Sequence, residues 1–313
     1  MSSYSLEGYL AALKIRGGKS LLLEGPTDMK IVARVLAEID SEPGLYCRDV
    51  AVDPIDLIAD EKIPRGHRNA VEFVYHYASN ESLPLAALVD REFREFEVEQ
   101  QPADHLRSHR SEGRLFWTRG HSIENYLFDA RYIDAYLRMK IPEFVSNECL
   151  RSVRAELASI LRIGAAASLA ALKCQIIERC SGACRDNFWK SIPTGLSFDL
   201  DAYVGILLDR GVPDTTANDY RMRFAEYEKQ LAVDSDEELN RWIVHGHLGW
   251  DFLWSGVAGI LRAYGVARDV VNTVCRGFVD DKLRFTADMW ARDVVRGSAE
   301  SPRALWDWLC EAA

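Results

Sequence analysis

The chain has 313 residues, 48% of them hydrophobic, and a formal net charge of −10. This length is enough to bury one large core or two moderate ones. Phosphate contact requires local positive charge, so the acidic balance excludes a uniformly basic nucleic-acid binder. Three possibilities remain: a segregated basic patch, a basic partner surface, or no nucleic-acid binding.

The cysteines and the N-terminus bear on the cellular compartment. The seven cysteines are odd in number and scattered, and only Cys180 and Cys184 are close in sequence. Without a second pair or a histidine pair nearby, zinc is disfavoured, and reduced thiols of a cytoplasmic protein are expected. No basic-then-apolar leader is evident, and no apolar run approaches the ~20 residues of a membrane helix. The sequence therefore predicts a cytoplasmic protein.

Residues 4–15 predict a short amphipathic helix that leads into Gly18-Lys19-Ser20. These three residues resemble the end of a phosphate-binding loop, but the glycine required five positions before Gly18 is replaced by Leu13. Such a loop also follows a strand and opens a helix, whereas this segment precedes a strand. The sequence therefore predicts a turn.

A short strand over Leu21–Leu23 follows and ends on Glu24. Gly25-Pro26 then turns the chain into a helix with Thr27 as the expected N-cap and apolar residues recurring to Ile39. In open α/β sheets ligands bind beyond the carboxyl ends of the strands. Glu24 is therefore either a site residue or a surface glutamate that closes a strand.

The next predicted elements are a strand over residues 46–52, a loop over 54–64 and a helix opened by residues 65–69. A further apolar strand over 85–89 ends in Asp90-Arg91-Glu92. On an extended chain Asp90 and Glu92 face the same side, because the side-chain period of a strand is two.

Residues 92–113 are charged and turn-rich, which predicts a surface loop or helix. Near its end lie Arg107 and Arg110, which form an arginine cluster together with Arg114 and Arg119. Such a cluster suits phosphate contacts, and a solvated charged loop is an equal alternative.

A strand over residues 115–118 leads into Ser122–Leu127, which contains Glu124. Parallel strands would bring Glu24, Asp90, Glu92 and Glu124 to one edge of a sheet. Carboxylates gathered in this way repel one another and have raised pKa values unless a cation joins them. Oxygen ligands without cysteine or histidine favour Mg²⁺ or Mn²⁺.

From about residue 130 apolar residues recur every three or four positions, which predicts an α-helical region to the C-terminus. Most of its tryptophans are expected in the helical core, and a binding surface is the alternative. His247 follows a glycine between two predicted helices. It is either a residue that faces the site or a loop histidine with no special role.

Glu24-Gly25-Pro26-Thr27-Asp28 after one strand and Val89-Asp90-Arg91-Glu92 after another resemble a Toprim domain, the metal-binding fold of topoisomerases, primases and OLD-type nucleases. Ser122–Leu127 and the helical C-terminal half make the chain most similar to the AriB-like Toprim nucleases, the effectors of PARIS anti-phage systems. Toprim domains usually carry a second aspartate at the position of Glu92.

The resemblance implies an α/β fold in two domains. Residues 1–130 would form a Toprim-like catalytic domain, a mostly parallel sheet with flanking helices. Residues 131–313 would form an α-helical domain for partner binding, dimerisation or substrate contact. The implied catalytic residues are Glu24, Asp90, Glu92 and Glu124, and the implied Mg²⁺ or Mn²⁺ ligands are Glu24, Asp28, Asp90 and Glu92. The predicted nucleic-acid contacts are His247, from the resemblance, and Arg107, Arg110, Arg114 and Arg119, from their charge.

The activity that the resemblance implies is metal-dependent cleavage of nucleic acid. The resemblance also implies a homodimeric toxin that an ABC-type or AAA ATPase partner resembling AriA holds silent. Phage infection would release the toxin, which would then cleave host RNA, with tRNA favoured over DNA. The alternative is a catalytically degenerate Toprim module that binds a partner or nucleic acid without cutting. A topoisomerase or a primase is disfavoured, since no catalytic-tyrosine domain and no zinc or helicase-binding element is evident.

Overall fold

A computed structural model describes residues 3–42, 50–99, 101–192, 195–233, 237–276 and 279–311. The chain forms two compact units. The first comprises Met1–Arg91, Leu106–Ile123 and Ala287–Ala313, and the second comprises Glu92–His105 and Glu124–Thr286. The sequence predicts a single boundary at residue 130, whereas the two units alternate along the chain. Helical periodicity shows that a segment is a helix but not which core it packs against.

The first unit contains a five-stranded sheet in the order β2-β1-β3-β7-β6. Strands β2, β1, β3 and β7 are parallel, and β6 pairs with β7 in the antiparallel sense. The elements of this unit are α1 (Leu6–Arg16), β1 (Ser20–Leu23), α2 (Pro26–Ser41), β2 (Ala51–Pro54), α3 (His67–Asn80), β3 (Leu85–Val89), β6 (Ser111–Glu112), β7 (Leu115–Trp117), the end of α12 (Val279–Val295) and α13 (Arg303–Cys310).

This architecture confirms the predicted mostly parallel α/β sheet. Its central strands are the short apolar runs, bounded by turns, from which the sheet was predicted. All side chains of β1, β3 and β7 are buried. Helices α1 and α3 pack their apolar faces into the same core through residues such as Tyr9, Leu13 and Val74. Gly18 and Lys19 lead directly into β1, whose first residue is Ser20, so this segment opens a strand and not a helix.

Three local predictions differ from the structure. Helix α2 has Gly25 as its N-cap and Pro26 at its first position, so Thr27 already lies inside the helix; proline suits that position because its missing N–H needs no partner there. The second strand begins at Ala51, and the predicted residues 46–49 lie outside the described residues. Residues 92–113, predicted as a surface loop or helix, contain short strands. A strand of two residues is too short to show a recognisable pattern in the sequence.

The second unit is mainly helical. Its strands form two hairpin-like pairs, β4 with β5 and β8 with β9. Its elements are β4 (Phe96–Glu97), β5 (Ala103–Asp104), α4 (Ala130–Lys140), α5 (Asn147–Lys173), α6 (Ile177–Cys180), β8 (Trp189–Ile192), β9 (Gly195–Phe198), α7 (Leu200–Asp209), α8 (Asp214–Val233), α9 (Glu237–Ile243), α10 (Gly246–Ala263), α11 (Arg268–Val271), a π-helix (Asn272–Arg276) and the start of α12.

Helix α5 is the central helix of this unit and packs against α8, α9 and α10. It approaches α10 so closely that a Cβ added at Gly256 would lie 2.7 Å from Cδ1 of Ile160. By length and composition α5 could cross a membrane, which the sequence did not predict, but 67% of its apolar window is buried in the protein. Such burial is consistent with the core helix of a soluble protein.

The aromatic and thiol side chains agree with a packed, reduced interior. Trp242, Trp254, Trp290 and Trp306 are buried, which confirms the core interpretation for these four. The cysteines of the described part of the chain are free thiols. Burial raises the pKa of the Cys180 thiol to about 11 and that of the Cys184 thiol to about 12, so both stay protonated at neutral pH.

Candidate metal-binding site

The carboxyl ends of β1 and β3 lie side by side in the sheet. The two strands are parallel, with Leu23 opposite Leu88. Glu24 follows the last residue of β1, and Asp90 follows the last residue of β3. The structure therefore places these two predicted site residues at the same edge of the sheet, and we call this edge the acid edge.

A hydrogen bond joins the two residues directly. The backbone N–H of Asp90 donates to Oε1 of Glu24 at 2.7 Å. Glu24 thus continues the pairing of β1 with β3 by one step, with a side-chain carboxylate replacing a backbone carbonyl. Both residues are half-buried. A charged acceptor makes this a stronger bond than a neutral pair, so Glu24 has a structural role as well as a chemical one.

The carboxylate of Asp90 is fixed from the β7 side. Oδ1 of Asp90 accepts a hydrogen bond from the backbone N–H of Ile123 at 3.1 Å. Ile123 lies at the end of the loop that leaves β7, so neighbours on both sides of β3 hold Asp90. Its orientation at the acid edge is determined by backbone groups.

Asp28 lies in the first turn of α2, shortly after Glu24 in the sequence. Its Oδ2 accepts a hydrogen bond from the backbone N–H of Gly25 at 3.0 Å and caps the helix. A carboxylate in the first turn also interacts favourably with the helix dipole. These contacts explain Asp28 without a metal, and its predicted role as a ligand stays a prediction.

Glu92 and Glu124 belong to the second unit, whereas Glu24 and Asp90 belong to the first. The expectation that Asp90 and Glu92 share a face of an extended chain is wrong. Strand β3 ends at Val89, and Glu92 has a left-handed φ of 54° at the start of a turn. Glu124 is buried in a short 3₁₀-helix over Ile123–Leu127. The catalytic roles of both glutamates stay predictions from the sequence.

Within the described residues no group of three or more histidine, cysteine, aspartate or glutamate side chains is arranged to hold a metal ion. The acid edge instead offers the two carboxylates of Glu24 and Asp90. This donor set fits Mg²⁺, which keeps several of its waters and is bound by one or two carboxylates together with substrate phosphates. The described residues therefore suit an open site better than a closed cage.

The predicted arginine cluster is divided between the two ends of β7. Because β6 runs antiparallel to β7, Arg110 lies beside Trp117 near the acid edge, where its carbonyl accepts the Trp117 N–H at 3.0 Å. Arg114 directly precedes β7 and is therefore at the opposite edge. The four predicted arginines thus do not form one track.

The individual arginines also differ in their surroundings. Arg110 lies 4.4 Å from the centre of the Trp117 ring and forms an ion pair with Glu112 at 2.7 Å. Arg114 lies 5.3 Å from the ring centre of Trp308 in α13. Arg107 is exposed and has a φ of 50°, whereas Arg119 is only 8% exposed. Of the two arginines close to the carboxyl end of β7, Arg110 is therefore more accessible to a phosphate than Arg119.

His109 and His245 contribute little positive charge at neutral pH. Burial and the nearby charge of Arg119 lower the pKa of His109 to about 4. In the second unit, burial and the charge of His247 lower the pKa of His245 to about 4. His247 itself is exposed in the first turn of α10. Its predicted contact with nucleic acid stays a prediction.

A pocket of about 100 Å³ lies in the first unit between α2, α12 and α13, lined by residues that include Ile39, Val294 and Trp306. Ile39 is near the end of α2, and helices rise about 1.5 Å per residue, so the pocket is roughly 20 Å from the acid edge. It is not the predicted site.

Two residues that sequence reasoning missed support the acid edge: Arg91 and Thr118. The side chain of Arg91 is fully buried. Its backbone N–H donates to Oγ1 of Thr118 at 2.9 Å, and its Nη1 donates to the carbonyl of Arg119 at 3.0 Å. An arginine between two acids suggests a solvent-exposed charge, so the sequence carried no signal for this burial.

Comparisons with known proteins add no assignment. No protein-family model matches the chain, and no curated protein matches it. Arguments about function therefore depend on the geometry of the acid edge and on the sequence motifs.

Proposed function

We propose that this protein is a divalent-metal-dependent nuclease in which Glu24 and Asp90 hold Mg²⁺ or Mn²⁺. The observation that carries the proposal is the juxtaposition of these two carboxylates at the ends of adjacent parallel strands, joined by the Asp90 N–H to Glu24 Oε1 hydrogen bond. Ligands bind at this edge in open α/β sheets. The Toprim-like motifs around both residues provide independent support.

Each part of the acid edge would have a defined task. When bound, the metal would stabilise charge on the scissile phosphate and lower the pKa of a coordinated water. Glu24 and Asp90 would fix its position, since backbone N–H groups already orient their carboxylates. Glu24 would also be placed to exchange a proton with the attacking or leaving oxygen, the role that the Toprim resemblance implies for its glutamate.

The biological setting follows from the resemblance alone. We propose a cytoplasmic toxin of an anti-phage system that dimerises on release from an ATPase partner and cleaves host tRNA. Net acidity fits a protein that is held by a basic partner surface, because long-range charge guides association.

Incubation of the purified protein with total tRNA and with supercoiled plasmid, in Mg²⁺, Mn²⁺ or EDTA, tests the activity. We expect cleavage of tRNA in Mg²⁺ or Mn²⁺ and none in EDTA, with the Glu24→Gln variant as the contamination control. Cleavage that persists in EDTA, or that is equal for wild type and variant, would contradict the proposal.

A binding module without catalysis is the second candidate. It is favoured by the engagement of Glu24 Oε1 and Asp90 Oδ1 with backbone N–H groups, which gives both acids a structural purpose. Such a module would bind tRNA with the same affinity in Mg²⁺ and EDTA and would leave it intact.

The positions of the arginines predict which of them contacts substrate. Replacing Arg110 by glutamate is expected to weaken tRNA binding and to flatten its salt dependence, because log affinity changes by about 0.7 per phosphate contact per decade of salt for single strands. Arg114→Glu is the matched control, since Arg114 also stacks on a tryptophan but precedes β7 at the opposite edge. Equal effects of the two variants in a filter-binding titration would remove Arg110 from the interface.

A further inference from the structure

We infer that Thr118 and Arg91 are positioning residues that determine the metal affinity of the acid edge by fixing Asp90. This inference rests on the proposed function. Both side chains are shielded from solvent, since Thr118 is 1% exposed and Arg91 is fully buried. They act through the backbone on both sides of Asp90.

The first link fixes the backbone of Asp90. The carbonyl of Val89 accepts the Thr118 N–H at 3.0 Å, and the N–H of Arg91 donates to Thr118 Oγ1 at 2.9 Å. Thr118 therefore binds the residues immediately before and after Asp90. With the Asp90 N–H held by Glu24, three consecutive residues are fixed, and rotation of Asp90 would break at least one of these bonds.

The second link fixes the loop that holds the Asp90 carboxylate. Thr118 Oγ1 donates to the carbonyl of Gly120 at 2.8 Å, and Nη1 of Arg91 donates to the carbonyl of Arg119 at 3.0 Å. The same loop continues to Ile123, whose N–H donates to Asp90 Oδ1. Because losing a hydrogen bond from a buried charged group is costly, the bond from the Arg91 guanidinium disfavours loop conformations that would break it.

Hydrogen-bonding partners behind the ligands tune metal sites in general, and their loss typically lowers metal affinity about 10- to 100-fold. We expect Thr118→Val, which keeps the shape but removes the hydroxyl, to raise the dissociation constant for Mn²⁺ by a factor in that range. Thr118→Ser keeps the hydroxyl and is expected to bind Mn²⁺ like wild type.

Isothermal titration of Mn²⁺ into the purified 313-residue protein tests the inference, with Val74→Ala as a control for general destabilisation. Val74 is fully buried in the same unit, on α3. We expect Val74→Ala to lower the melting temperature without changing Mn²⁺ affinity, and Thr118→Val to change the affinity.

Failure of the inference and failure of the proposed function give different results. If wild type binds Mn²⁺ and Thr118→Val binds it equally well, the positioning role is wrong and the metal site stands. Equal loss of affinity in Thr118→Val and Thr118→Ser, or in Val74→Ala, also overturns the positioning role. If wild type binds no Mn²⁺, the proposed metal site itself is wrong.

Discussion

Glutamine in place of Glu24 is expected to reduce the rate of tRNA cleavage at least about 100-fold while the melting temperature stays close to that of wild type. The amide oxygen of glutamine can still accept the Asp90 N–H, which preserves the 2.7 Å hydrogen bond between the two strand ends. The negative charge and the proton-transfer capacity are lost. Single-turnover cleavage and differential scanning fluorimetry measure the two effects separately.

Alanine at the same position separates the structural role from the chemical one. Glu24→Ala removes the acceptor of the Asp90 N–H, and loss of a hydrogen bond to a charged group lowers the free energy of unfolding by roughly 1.5–3 kcal/mol. Repulsion among acids alone would predict little loss of stability. A glutamine variant that cleaves at the wild-type rate would remove Glu24 from the catalytic set.

The second large effect concerns Asp90. Saturating Mn²⁺ is expected to raise the melting temperature of wild type, because a ligand at 100 times its dissociation constant stabilises the folded state by about 2.7 kcal/mol. Asp90→Asn is expected to abolish both this shift and cleavage. The asparagine oxygen can still accept the Ile123 N–H, so the fold should be retained.

Asp56→Asn is the matched control for this experiment. Asp56 is exposed in the same unit and pairs only weakly with His67, at 3.4 Å. This variant should keep the full Mn²⁺ shift and full activity. If Mn²⁺ raises the melting temperature of Asp90→Asn as much as that of wild type, the metal binds elsewhere.

Apolar runs explain why the central strands could be predicted from sequence. Apart from Ser20, strands β1 and β3 consist of small or branched apolar residues on both faces, the pattern of a parallel strand covered on two sides. Strand β6 is two exposed residues long and has no such pattern. Its position became visible only through its pairing with β7, which in turn separated Arg110 from Arg114.

The sequence predicts the position of a site residue well when that residue directly follows a strand. Glu24 and Asp90 follow their strands directly, so the parallel sheet brings them together. Glu92 lies two residues further, beyond a change to left-handed backbone that the sequence did not signal. The support from Thr118 comes from the residue that follows β7, which is distant in sequence from Asp90, and only tertiary structure shows it.

The proposed function requires that Glu24 and Asp90 together bind a divalent metal ion. Electron paramagnetic resonance of free Mn²⁺, titrated against wild type and the Glu24→Gln/Asp90→Asn double variant, measures this binding. We expect wild type to deplete the free Mn²⁺ signal saturably, and we expect the double variant, with an unchanged melting temperature in EDTA, to leave it unchanged. Equal depletion by both proteins would show that Glu24 and Asp90 do not form the metal site.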